Sequence, residues 1–199
     1  LARGLEFRSV LGINILQQEI NESQTRTLAI GELGTAGKAN RKETFWSWEN
    51  YLTYNKSFGG HAINALAGIS WQETNYTATN ASVRNFATDF FTFNNLGAGA
   101  TLPGVSSGAS RSAFNSYFGR LNYTLQDKYL LTVTGRVDGS SKFGDNHKYA
   151  FFPSAALAWK VSDEDFLKTN TVISNLKLRT SYGLTGNSEI PPYSSLSLL

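Results

Sequence analysis

No cysteine occurs among the 199 residues, so disulfide scaffolds, thiolate metal sites and cysteine nucleophiles are excluded together. Only two histidines are present, His61 in a turn-like stretch and His147 in a loop-like one, too few for a multi-histidine metal centre. Charged side chains make up 17%, against roughly a quarter in an ordinary soluble domain. The net charge of +3 is too small to imply a nucleic-acid partner. No uninterrupted apolar run reaches the ~18 residues that a transmembrane helix needs. The opening "LARGLEFRSVLG" has no methionine and no signal-peptide pattern, and reads as the interior of a longer chain. Aromatic residues are plentiful instead, with 13 Phe, 9 Tyr and 4 Trp. Many aromatics, few charges and abundant Gly, Ser, Thr and Asn suit a β-rich membrane or secreted protein.

Period-two alternation organises most of the chain. In "YLLTVTGRVDGSSKFG" the odd positions Tyr129, Leu131, Val133, Gly135 and Val137 are apolar or bare. The even positions include Thr132, Thr134, Arg136 and Asp138. Six further segments read the same way. Residues 5–16 align Leu5, Phe7, Leu11, Ile13 and Ile15 against Glu6, Arg8 and Asn14. "KETFWSWENYLTYNKSF" aligns Trp46, Trp48, Leu52 and Tyr54 against Ser47, Glu49, Thr53 and Asn55. "FGGH" then predicts a tight turn into "HAINALAGISWQE", with Ile63, Ala65, Ala67, Ile69 and Trp71 on one face. "AFNSYFGRLNYTLQ" places Tyr117, Leu121 and Tyr123 opposite Arg120 and Asn122, and "QDK" turns it into the segment first quoted. Tyr149, Phe151, Leu157 and Trp159 share a face of the sixth segment, with Lys160 on the other. In the seventh, Leu176, Leu178, Tyr182 and Leu184 oppose Lys177 and Arg179.

The connections alternate in length. Segments two to three and four to five turn within a few residues, whereas one to two and three to four are separated by roughly 25 to 40. Residues 73–112, dense in Asn, Ala, Gly and Ser without a sustained period, read as one long loop. Short turns at one end and long loops at the other characterise outer-membrane barrels. Alternation alone also permits a soluble β-sandwich whose apolar faces meet in a core. Loop asymmetry and strand length favour the barrel, and the charges point the same way. Arg8, Arg120, Arg136, Lys160, Lys177 and Arg179 all fall on polar faces, and a lipid-facing charge costs roughly 2–4 kcal/mol at the bilayer midplane. On the barrel reading Trp46, Trp48, Tyr54, Trp71, Leu121, Tyr123, Tyr129, Leu131, Val133, Leu157 and Trp159 face the membrane. Arg120, Asn122, Thr132, Thr134, Arg136, Lys160, Lys177 and Arg179 face the lumen.

The stretches "YFGRLNYTLQDKYLLTVTGRVDGSSKFG", "FFPSAALAWKVSDEDFL", "LKLRTSYGLTGNSEIPPY" and "SWENYLTYNKSFGGHAINALAGISWQE" resemble consecutive barrel strands of SusC/RagA-type TonB-dependent outer-membrane transporters. The resemblance implies an antiparallel up-and-down transmembrane β-barrel, with about seven of its 22 strands in residues 1–199 and the plug domain elsewhere. It further implies a multi-pass protein of the bacterial outer membrane that imports glycans or peptides with energy from TonB. TonB would act through a segment not in this chain. The implied partners are outer-membrane lipid, a SusD-like surface lipoprotein and an oligosaccharide or peptide substrate, with no nucleic acid and no cofactor. Within the 73–112 loop, Phe90, Phe91 and Phe93 are candidates for contact with substrate or partner, or for a small core of the loop itself.

Catalytic patterns are weak. Asp163, Glu164 and Asp165 in "SDEDF" read as a solvated turn, as do the two histidines, and Asp138 and Asp145 lack cation-site spacing. "GAGATLPG" lacks the third glycine of a dinucleotide fingerprint. No catalytic residue, metal ligand or enzymatic activity is expected. A passive porin-like channel and a soluble secreted β-sandwich binding module remain the alternatives to active transport.

Overall fold

The computed structural model describes residues 3–26, 33–101, 104–168 and 172–195. Seven strands follow one another: β1 (Leu5–Gln24), β2 (Thr35–Phe58), β3 (His61–Arg84), β4 (Gly104–Leu125), β5 (Tyr129–Ser140), β6 (Tyr149–Lys160) and β7 (Lys177–Gly183). They form one antiparallel sheet in the order β1-β2-β3-β4-β5-β6-β7, so each strand pairs with its neighbours in sequence. The order begins at β1 and ends at β7, and the sheet is not closed. The predicted all-β meander is therefore the fold.

Chain contacts divide the protein into two compact units, one of residues 1–12, 47–72 and 113–199 and one of residues 13–46 and 73–112. In the first, the registers place the alternating residues in rows. Tyr123, Leu131 and Leu157 lie side by side, as do Leu121, Val133 and Ala155. On the opposite face Asn122, Thr132, Ala156 and Ser181 form one row, and Arg120, Thr134, Ser154 and Gly183 another. Pro153 marks where β6 stops pairing with β7. Its carbonyl accepts the Leu184 N–H at 3.0 Å, but proline has no N–H to return the bond. Both short turns hold their central residues at positive φ, Gly59 and Gly60 before β3 and Gln126 and Asp127 before β5. That backbone twist matches the strands it joins. The first turn uses the residue type that adopts it freely; the second does not.

The second unit supplies most of the small core found among the described residues. Ala36, Val83 and Phe86 are buried together, with Phe93, Leu96 and Ala98 packed against them. Phe86 bridges to Gly99, and Asn85 and Thr101 join through their side chains at 2.6 Å.

Two sequence expectations change here. The loop expected over 73–112 is shorter, because β3 runs on to Arg84 and β4 starts at Gly104, leaving residues 85–103 as the connection. Likewise β1 reaches Gln24 and β2 starts at Thr35, so 25–34 is the first connection. The ladder continues where the apolar alternation fades, since strand pairing satisfies backbone groups whatever the side chains are.

Candidate functional site

One face of the first unit is polar and networked. Asn64 of β3 donates to Asn55 Oδ1 of β2 at 2.6 Å, and Asn122 of β4 donates to Asn64 Oδ1 at 3.0 Å. Thr132 Oγ1 of β5 then donates to Asn122 Oδ1 at 2.9 Å. Four strands are thus laced by a run of neutral donors and acceptors all pointing the same way, an arrangement in which each bond polarises the next. Asn122 and Thr132 were expected on this face. The part played by Asn55 and Asn64 was missed, although Asn55 had been placed on the polar side.

Arg136 stands at the centre of a second cluster on the same face. Its Nε donates to Asp138 at 2.6 Å and a terminal nitrogen donates to Ser116 Oγ at 2.8 Å. The guanidinium lies 5.4 Å from the centre of the Phe118 ring. Tyr51 packs against the other reach of Phe118, with ring centres 5.8 Å apart, and its hydroxyl donates to Glu49. Phe118 crosses over Gly68 of β3, where even a methyl group would lie 2.5 Å from the ring. The glycine makes room for the aromatic ring, and the ring covers backbone that the glycine leaves bare. Ser116 is 1% exposed, and its hydroxyl oxygen takes the Arg136 hydrogen bond.

The other polar-face residues lie as the alternation requires. Arg120 stands opposite Thr134, Arg179 opposite Ala158, and Lys160 opposite Lys177. Like charges face each other in the last pair, and Asp163 lies 3.9 Å from the Lys160 ammonium.

The apolar face has no second layer over it among the described residues. Leu121, Tyr129, Val133 and Leu157 are all more than two-fifths exposed, and Leu131 and Trp159 are half-buried. Tyr129 and Trp159 stack at the end nearest the short turns. Trp48 and Trp71 stack at 5.3 Å much further along, and the Trp48 indole donates to Ser9 at 3.0 Å. Tyr54 lies between these levels on β2. In the second unit Glu73, two residues beyond Trp71, takes hydrogen bonds from Arg111 and Asn75, each 2.7 Å.

His61 and Glu164 depart from their expected roles as solvated turn residues. His61 stacks between Phe58 and Tyr123, with Nδ1 2.7 Å from the tyrosine hydroxyl. Glu164 accepts from Tyr129 at 2.6 Å, Lys128 at 2.9 Å and Trp159 at 3.0 Å. Those three donors, the tyrosine first, pull its carboxyl down to about 2. The Glu164 carboxylate in turn raises Lys128 above the usual ammonium range. Asp163 and Asp165 do sit on the surface, as expected. Among the described residues no group of three or more His, Asp or Glu is placed to hold a metal ion.

Comparison with known proteins fits this single-layered, two-faced sheet. A family model described as "TonB dependent receptor-like, beta-barrel" matches residues 6–197. The chain belongs to this family. Among other TonB-dependent receptors, it is 42% identical over 197 residues to TonB-dependent receptor P3 of Formosa agariphila, covering 98% of this chain and 20% of that protein. It is 38% identical over 144 residues to TonB-dependent receptor SusC of Bacteroides thetaiotaomicron, covering 72% of this chain and 14% of the other. Against the solved RagAB peptide transporter it superposes with a TM-score of 0.88 at 26% identity, over 97% of this chain and 22% of that one. The resemblance to SusC/RagA-type receptors holds, and this receptor segment spans about a fifth of the length of the relatives it matches.

Proposed function

We propose that the chain is part of the barrel wall of an outer-membrane active transporter that imports glycans or peptides. Energy comes through TonB, and a SusD-like surface lipoprotein presents the substrate. The observation that carries this reading is the uncovered apolar face bounded by two aromatic levels. Trp48 lies about eleven residues from the β2–β3 turn, which at ~3.3 Å per residue and a barrel tilt near 40° gives a height of roughly 27 Å. A barrel's lipid-facing band is about 25 Å tall and edged by aromatic rings. On this reading Tyr129 and Trp159 mark the periplasmic edge, and Tyr54 and Tyr123 lie inside it. Trp48 and Trp71 mark the outer edge, with Trp46 two residues before Trp48 along the chain. Leu121, Leu131, Val133 and Leu157 meet the acyl chains between. The Asn55–Thr132 run and the Arg136 cluster line the lumen with Arg120, Thr134, Lys160, Lys177 and Arg179.

The full-length protein, tagged in its own host, tests this. The expected result is outer-membrane localisation, co-purification of a surface lipoprotein, and uptake of oligosaccharides or peptides that stops when TonB is depleted. Uptake indifferent to TonB replaces the reading with a passive channel, and recovery of the intact protein in soluble form refutes it.

A further inference from the structure

The connection between β3 and β4 is built as a rigid mount for two outward aromatic rings. Arg26 clamps it from the β1–β2 connection: Nε lies 3.3 Å from Asp89, the backbone N–H donates to the same carboxylate at 3.2 Å, and a terminal nitrogen donates to the Ala87 carbonyl at 2.8 Å. Phe86 anchors the start of the connection in the small core, and Phe93 anchors its middle, beneath the Lys38 ammonium 5.8 Å away. Between these anchors Phe90 and Phe91 point away. Phe90 is 84% exposed and Phe91 37%, and the rings meet edge to face at 5.3 Å. Of the three phenylalanines singled out in the sequence, one is core and two are presented.

We infer that the Phe90–Phe91 pair is a stacking platform for a neutral oligosaccharide, an inference that rests on the transporter reading. Three observations favour a sugar over a protein. First, the connection's one acidic side chain, Asp89, is paired with Arg26, which leaves the Lys38 ammonium over Phe93 as the charge beside the mount and, among the described residues, no paired set to grip an acidic or basic ligand. Second, the polar residues that flank the rings in the sequence are Thr88, Thr92, Asn94 and Asn95, hydroxyls and amides of the kind that pair with vicinal sugar hydroxyls. Third, two phenylalanines carry about 150–250 Å² each, well short of the ~800 Å² per partner in a stable protein interface but ample for the face of one or two hexoses. Fixing the rings before binding lowers the ordering cost of capture.

The test uses the full-length protein purified with its co-purifying partners. Calorimetry is run with maltohexaose, laminarihexaose, cellohexaose and mannohexaose, and with neutral hexapeptides. The expected result is measurable oligosaccharide affinity that falls at least about tenfold in the Phe90→Ala/Phe91→Ala double variant. Phe90→Trp retains it, and Phe90→Leu, apolar but without a π face, loses it. Wild-type affinity in the double variant or in Phe90→Leu overturns the platform. So does loss of the protein partner with oligosaccharide affinity unchanged, which assigns the rings to a protein contact. If the wild type takes up peptides and binds none of the four sugars, the platform falls while the transporter reading stands. If it takes up neither, the transporter reading falls with it.

Discussion

Replacing Gly68 with alanine will drive a methyl group into Phe118. The added carbon would sit 2.5 Å from both Cε2 and Cζ of the ring and 3.1 Å from the Asn50 carbonyl oxygen. Carbon atoms rest at about 3.5–4.0 Å, so the ring must shift by roughly 1 Å or more. A displaced ring adopts an off-rotamer angle at about 0.5–1.5 kcal/mol. It also weakens the Arg136 cation–π contact, worth ~0.5–1 kcal/mol at a partly exposed site. Against this, alanine gains roughly 0.5–1 kcal/mol over glycine in a strand interior. The net expectation is a loss of about 1 kcal/mol. In a Phe118→Leu background the ring clash is gone, only the 3.1 Å approach to the Asn50 carbonyl remains, and the same Gly68→Ala change becomes neutral to stabilising. Urea unfolding of the full-length protein in liposomes, read as a double-mutant cycle, checks that the penalty disappears. If Gly68→Ala stabilises the protein with Phe118 in place, the ring does not lie over the glycine and the account of this cluster is wrong.

Three other outcomes are expected. Glu164 is held down at about 2 against 4.5 when free, so the stability lent by its bonds to Tyr129, Lys128 and Trp159 is complete above pH 4.5 and falls away between there and 2, the bonds themselves opening only as the carboxyl protonates near 2. The fluorescence of Trp159 will hold from neutral pH down to about 3 and change as the pH passes through 2, and Glu164→Gln will abolish that acid transition. Substituting Gln126→Asn and Asp127→Gly relieves two non-glycine residues at φ 51 and 58 and will stabilise the β4–β5 hairpin by about 1 kcal/mol, measured by unfolding. Arg26→Ala frees the 85–101 connection, so amide exchange there will speed up while the β4–β5 ladder keeps its protection. Unchanged exchange shows that Phe86 and Phe93 hold the connection without the clamp.

How far the sequence could be read follows from what each pattern encodes. Residues 129–137 reveal a strand and both its faces because the apolar and polar sets differ sharply. Beyond Gln72 in β3, and before Ala113 in β4, both faces are polar, and the alternation that marks a strand has nothing to alternate. The loop was therefore drawn too long. Turn chemistry was legible in Gly59 and Gly60, and the Gln126–Asp127 turn was found from its place between two strands. What a single strand cannot show is its partner. Asn64 and Asn122 meet only once the register is fixed, and the same holds for Gly68 under Phe118. Glu164 and His61 looked like surface residues because their partners, Lys128 and Tyr123, come from other turns and strands. Faces are local in sequence; contacts between strands are not.

The energetics of the sheet bear on its solvent. Only Ala36, Val83, Phe86 and Val161 are buried hydrophobics among the described residues, and three of them belong to the connection's small core. A sealed interior is therefore not what stabilises β4–β7, whose leucines, valine and aromatics stand open on one side. In water that open face would cost roughly 25 cal/mol for each Å² of apolar surface left wet, whereas acyl chains remove the cost without a second protein layer. Two arginines placed on β6 separate the cases. Leu157→Arg points from the apolar face and Ser154→Arg from the polar one, three residues apart on the same strand. With lipid on the apolar side, the first lowers stability by about 1–2 kcal/mol, between the interface and midplane costs, because Leu157 lies only two residues in from Trp159. The second costs under ~1 kcal/mol, because the polar side already holds water and charge. Equal effects at the two positions, measured on the full-length barrel in liposomes, would mean that both faces of β6 meet the same medium.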